Sequence, residues 1–279
     1  MSIPEHRKGI FAIVIAALLW STGGLFIKLI PLEALQISGV RSVFAAATFF
    51  ALYRKECFHI NPMSFVSGIF YAGILILFVL ATKMTTAANA IFLQYTAPIY
   101  VLLLEPLLLK TKLRPINIIT IVVTFIGMGL FFVGRLSAGN MFGNILALFS
   151  GVAFAGFLLS MRKNHDDHQI ASIFWGNIIV ILFCSPHVVT ITTLSMKTIS
   201  MIAFLGIVQI GIAYAAFSYG LKKVEAIEAS LISIIEPVLN PIWVFIGYGE
   251  QPTPFAILGG IVILITITIR SYIIERSKT

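Results

Sequence analysis

Glu236 is the residue best placed to do chemistry in this chain, and it stands where a carboxylate is most costly. It lies near the centre of residues 224–249, VEAIEASLISIIEPVLNPIWVFIGYG, a run long enough to cross a bilayer. A charge at that depth costs roughly 2.5–3.5 kcal/mol on insertion scales. Pro237 follows it and Pro241 lies one turn on, each removing a backbone donor and kinking a helix. Ser233, Glu236, Asn240 and Trp243 are spaced three, four and three, so they share one helix face. A polar stripe on a spanning helix faces the bundle interior or a wet cavity. Pro237 leaves the Ser233 carbonyl without its helical donor, and Pro241 does the same for the carbonyl of Pro237. Free carbonyls beside a carboxylate make a site for a proton, a cation or a substrate amine. The alternative is structural: Glu236 is locked to a neighbour, chiefly Arg41, and holds the bundle together.

Arg41 sits about two turns inside another apolar run and keeps its charge, so it needs an acceptor or water. It binds a substrate carboxylate or gates the outer mouth, or else it pairs with backbone carbonyls or Glu236. Trp20, Tyr71, Gln94, Tyr95, Trp175, Tyr214 and Trp243 are candidates to line a cavity; the competing role for such side chains is packing or interfacial anchoring. The run from Asn164 to His168 looks like a metal cluster, but no second set of ligands completes it, and a solvated loop is the simpler reading. Glu105 is read as snorkelling to the interface or pairing with a loop lysine. Cys57 and Cys184 read as inert thiols without a disulfide. No cofactor, metal or nucleotide-binding glycine loop is expected, so direct ATP drive is not either.

These residues must be positioned by helices in a membrane. The chain of 279 residues is 59% hydrophobic and 11% charged, with a mean hydropathy of +1.01, more apolar than a soluble fold can cover. The apolar runs do not alternate, which argues against a β-barrel. Ten runs of about 20 residues lie near 9–29, 34–53, 63–82, 87–109, 115–134, 141–161, 170–192, 199–219, 226–248 and 253–274. The basic N-terminus with its apolar run is a first spanning helix, not a signal peptide. With both termini in the cytoplasm, fourteen Lys and Arg fall inside against four outside, the bias that sets orientation. The net charge of +8 is therefore mostly an orientation signal, dispersed over short loops, and no nucleic-acid partner is expected.

The two halves repeat. Pro98 and Pro115 fall on Pro237 and Pro254 at an offset of 139; Gly68 and Gly73 fall on Gly206 and Gly211 at 138; Gly9 and Lys28 fall on Gly143 and Arg162 at 134. Gln94 is then the partner of Ser233. Five helices followed by five related ones make an inverted repeat, residues 1–137 and 138–279, with a site expected near mid-membrane. Paired glycines (Gly23–Gly24, Gly127 and Gly129, Gly259–Gly260) allow close helix contact.

IAALLWSTGGLFIK at 15–28, the Arg41-containing start of the second run, and ASLISIIEPVLNPIWVFIGYGEQPTPFAILGGIVI at 229–263 together resemble the EamA-type transporters of the drug/metabolite transporter superfamily. The likeness covers essentially the whole chain. The first copy departs from the pattern: Ala97 stands where the second has Glu236, and Lys110-Thr111 where it has Gly249-Glu250. The resemblance implies ten helices and transport of small metabolites, often as export. The expected protein is thus an all-α, multi-pass protein of the cytoplasmic membrane, monomeric or homodimeric, moving a small polar or amphipathic solute by alternating access. Trp20, Arg41, Gln94, Tyr95, Trp175, Tyr214, Ser233, Glu236 and Asn240 are its candidate transport residues, and Glu236 is the candidate proton carrier. The competing reading is an intramembrane lipid-handling protein or enzyme, which would need a nucleophile with a base, or a metal cluster, at one depth.

Overall fold

A computed structural model describes residues 3–85, 87–112, 114–130, 133, 140–164, 168–248 and 254–276. Arg135, His165–Asp167 and Gly249–Glu250 lie outside them. Every element among the described residues is helical: α1 (Ile3–Trp20), α2 (Gly23–Leu29), α3 (Ala34–Tyr53), α4 (Pro62–Met84), α5 (Ala87–Gln94), α6 (Ala97–Leu109), α7 (Pro115–Leu130), α8 (Met141–Lys163), α9 (Gln169–Val188), α10 (Met196–Phe204), α11 (Ala213–Leu221), α12 (Ala226–Ile232), α13 (Ile235–Tyr248) and α14 (Pro254–Arg276). A 3₁₀ turn spans Arg54–Phe58, and a π-helix, Leu205–Ile212, joins α10 to α11.

Eight helices among the described residues are long and apolar enough to cross a membrane. Two of the ten expected runs are not among the eight. Residues 115–134 give the 16-residue α7, and 226–248 breaks into α12 and α13. The break comes just before Pro237. A second break, between α5 and α6, comes just before Pro98. Proline cannot donate to the carbonyl four residues back, so the ladder is interrupted there. The starts follow local chemistry. Asn61 accepts from the Ser64 amide ahead of Pro62, Asn140 from the amides of Phe142 and Gly143, and Ser195 from that of Thr198.

The surface is inverted relative to a soluble protein. Leu107, Ile126, Phe149, Leu182 and Ile246 are exposed, while Arg41, Glu228, Glu236 and Arg270 are buried. An apolar coat over a partly polar interior is what lipid demands. Inside, α4 packs on α8 and α9, α3 on α9, α1 on α11, and α7 on α14.

Contact is closest where glycine meets backbone. A Cβ on Gly206 would run into the Arg41 carbonyl oxygen and Phe44 Cβ, so α3 and the π-helix touch with no room for a methyl group. Gly206→Ala is expected to destabilise the fold by about 1–3 kcal/mol through overpacking. A Cβ on Gly129 would meet nothing within 4 Å, so Gly129→Ala serves as the control. Thermal unfolding in detergent should show a lowered midpoint for the first variant alone.

Candidate functional site

The polar residues converge on one small central cavity of ≈ 40 Å³. Helix breaks and the π-helix bring its walls together. Trp20 closes α1, Gln94 closes α5, and Glu236 opens α13; the π-helix contributes Gln209 and Ile210, and α11 gives Tyr214. Arg41 comes from α3, and Ile74, Leu75 and Phe78 come from α4.

Arg41 is 2% exposed and donates from Nη2 to the Leu75 carbonyl at 3.0 Å. Glu236 is 7% exposed, and its Oε2 accepts from the Tyr95 hydroxyl at 2.6 Å. The two line one cavity, yet no ion pair within 4.0 Å joins them, so the expected Arg41–Glu236 lock is replaced by a carbonyl on one side and a phenol on the other. The Ser233 carbonyl is not free either. It accepts the Glu236 amide at 2.9 Å, an i to i+3 bond that the helix break permits.

Several buried polar atoms here find no partner within the protein: Trp20 Nε1, Arg41 Nε and Gln209 Oε1 on cavity-lining residues, and Asn240 Oδ1 one turn beyond Glu236. Buried polar groups are normally satisfied, so these atoms keep hydrogen-bonding capacity for water or another occupant. Beneath them lies an aromatic floor. Tyr214 stands 4.7 Å from Trp20 and 4.8 Å from Tyr71 between ring centroids, and Phe217 stands 4.9 Å from Trp20.

Of the expected residues, Trp20, Arg41, Gln94, Tyr214 and Glu236 line the cavity, and Tyr95 reaches it through Glu236. Gln94 also donates to Ser150 Oγ at 2.7 Å. Ser233 turns its hydroxyl to the Ala229 carbonyl, and Trp243 donates to Ser21 Oγ. Trp175 is elsewhere: its Nε1 donates to the Cys57 carbonyl beside the 3₁₀ turn. Asn164 is structural, bonded to Asn61, Ser64 and Ser172. Among the described residues no group of three His, Cys, Asp or Glu could hold a metal. Cys57 and Cys184 are both buried and unpaired. Sequence reading missed Gln209, although the 138 offset places it opposite Tyr71. A larger groove of ≈ 300 Å³ between α4, α6 and α8 is lined almost wholly by apolar side chains and holds none of these groups.

A lipid-faced helical bundle around an unsatisfied polar cavity is the build of a multi-pass membrane carrier. The chain belongs to the EamA-like transporter family, whose profile matches residues 7–133 and again 141–272. It is 24% identical over 274 residues to an uncharacterized transporter of Archaeoglobus fulgidus, covering 92% of this chain and 94% of the relative. It is 25% identical over 280 residues to the uncharacterized transporter YwfM of Bacillus subtilis, covering 96% and 95%. A solved crystal structure shares the fold, with a TM-score of 0.80 over 98% of this chain and 99% of the other, at 18% identity.

Proposed function

We propose that this protein is a secondary transporter of the cytoplasmic membrane that exports a small zwitterionic metabolite, an amino acid or a close relative, by alternating access. The observation that carries the substrate class is the cavity wall. Arg41 offers a cation and Glu236 an anion to one space, and neither neutralises the other. A carboxylate on Arg41 and an ammonium on Glu236 satisfy both, with Trp20 Nε1 and Gln209 Oε1 as further contacts. At about 10–15 Å³ for each water, the present cavity has room for about three. A metabolite therefore enters only when the bundle opens.

The framework is ten spans in two inverted five-helix repeats, residues 1–137 and 138–279, with both termini cytoplasmic. The eight long helices, α7 and the α12–α13 pair make up the ten. The packing supports the repeat. Exchanging first for sixth span, second for seventh, and so on, turns the α1–α11 contact into the α8–α4 contact, and leaves α3–α9 and α7–α14 unchanged. The breaks before Pro98 and Pro237 match within one residue. Fourteen basic residues against four support the orientation.

The test is reconstitution into liposomes with a panel of radiolabelled amino acids, measuring counterflow. Saturable exchange of a zwitterion is the expected result. Failure of every zwitterion, with exchange of singly charged or neutral solutes instead, would refute the substrate class.

A further inference from the structure

Two hydrogen-bonded clusters lie at opposite ends of the bundle, away from the central cavity. At the end that holds the start of α1, Glu228 is fully buried; its Oε2 stands 2.9 Å from His6 Nε2, and its Oε1 3.3 Å from Arg270 Nη1. Arg270 also donates from Nε and Nη2 to Asn117 Oδ1, at 3.0 and 2.9 Å. His6, Arg270 and Asn117 are 3% exposed or less. The four side chains come from α1, α12, α14 and α7, and so tie both halves together. Further ion pairs ring the same end: Glu5 with Lys8 and Lys223, and Arg114 with Glu225.

At the opposite end the matching buried cluster is neutral; the pair there, Glu33 and His187 at 3.9 Å, is exposed on the rim. Thr85 Oγ1 donates to Asn144 Oδ1 at 2.8 Å, and Asn89 Nδ2 reaches both atoms at 3.4 Å. Among the described residues no acid joins this cluster; Lys28 and Lys83 donate instead to the backbone carbonyls of Thr85 and Ile30.

The two clusters occupy matching places. Glu228 follows Asn89 by 139 residues, the offset that relates the two broken helices. A Cβ on Gly9 would lie 2.7 Å from Lys223 Cβ, and one on Gly143 would lie 3.0 Å from Met84 Cβ; Met84 and Lys223 are again 139 apart. Asn144 stands one turn beyond the position that matches His6, on the same helix face.

We infer that these clusters are the inner and outer gate locks of the transport cycle, and that their unequal chemistry sets which end rests shut. The inference rests on the alternating-access reading. Opening the inner end parts α1 from α12 and takes His6 from Glu228. A hydrogen bond to a charged group such as the Glu228 carboxylate is about twice as strong as one between neutral groups, so parting His6 from Glu228 costs more than parting Thr85 and Asn89 from Asn144. The inner end therefore rests closed. The return of the empty carrier to its inward-open form is the step the ionic lock governs.

The experiment uses the full chain in liposomes with Cys57→Ser and Cys184→Ser, carrying one of two matched probes, Ser230→Cys or Ile91→Cys. Both sites are buried, each two residues past its lock. The readout is the rate of labelling by a water-soluble maleimide. Glu228→Gln is expected to raise labelling at 230 by about tenfold or more and to lower it at 91. Asn89→Glu with Asn144→His, which copies the ionic lock onto the outer end, should shift both rates in the same directions. Glu228→Asp, which keeps a carboxylate for His6 and Arg270, should stay near the original rates and guards against simple misfolding. Unchanged rates, or a rise at both probes together, would overturn the inference. Wedging variants separate the two readings. If Gly9→Val and Gly143→Val move the probes oppositely while Glu228→Gln does not, the lock falls and alternating access stands. If no variant moves them oppositely, both fall.

Discussion

Glu236→Gln is expected to lower zwitterion exchange in proteoliposomes by about 10–100-fold, the worth of a hydrogen bond to a charged group. Glutamine keeps the shape and keeps an oxygen for the Tyr95 hydroxyl to donate to, so the helix break and the fold should survive. What disappears is the anion facing Arg41 across the cavity. The same variant tests coupling. Wild-type transport should rise when the proton gradient runs inward against substrate export, because Glu236 then exchanges a proton for the substrate's ammonium. The variant's residual transport should be indifferent to the gradient. Gradient dependence that survives in the variant would remove Glu236 as the proton carrier; unchanged exchange would remove it as a substrate ligand. Tyr95→Phe removes only the donor and should have the smaller effect.

Glu105→Ala should produce the largest loss of stability. Glu105 is 3% exposed, and its two carboxylate oxygens accept the amides of Ala226 and Ile227, at 3.1 and 3.0 Å. These are orphan donors of the first turn of α12, so a side chain on α6 caps a helix 121 residues away. Leaving two buried amides unsatisfied costs about 1–3 kcal/mol each. The midpoint of thermal unfolding in detergent should fall clearly. Glu105→Gln, which retains one acceptor, should fall by about half as much. An unchanged midpoint for Glu105→Ala would mean that water caps α12 equally well.

Glu105 also marks where the sequence stops being legible. Near the end of an apolar run, a glutamate reads naturally as one that snorkels to the interface, because nothing local names its partner. The long runs themselves were plain, since lipid imposes length and apolarity on every span. The breaks at Pro98 and Pro237 were also readable, because proline acts on its own helix. Arg41, Gln94, Tyr214 and Glu236 were found as intramembrane polar residues, but who meets whom was not. Arg41 with the Leu75 carbonyl, and Tyr95 with Glu236, are pairings between distant helices. For the same reason Arg270 counted among the fourteen inside charges, while its hydrogen bonds to Asn117 and its ion pair with Glu228 need the folded bundle. Trp175 lies away from the cavity; an aromatic in a span fits a cavity and a packed loop equally well.

The π-helix between α10 and α11 bears on how the two halves came to differ. On the two-repeat reading, Gly206 and Gly211 match their counterparts at an offset of 138, and Lys223, Pro237 and Pro254 match theirs at 139, so the extra residue falls between Gly211 and Lys223. The second copy therefore gained one residue within this span, while α4, its counterpart, runs unbroken. A residue inserted into an α-helix turns everything beyond it by about 100°. A π-turn absorbs the extra residue by widening, so α11 keeps its rotational phase and its contact with α1. On that reading the widened turn accommodates the one residue by which the two copies differ. Gln209, inside it, lines the cavity, whereas its counterpart at the 138 offset, Tyr71, accepts from Asn177.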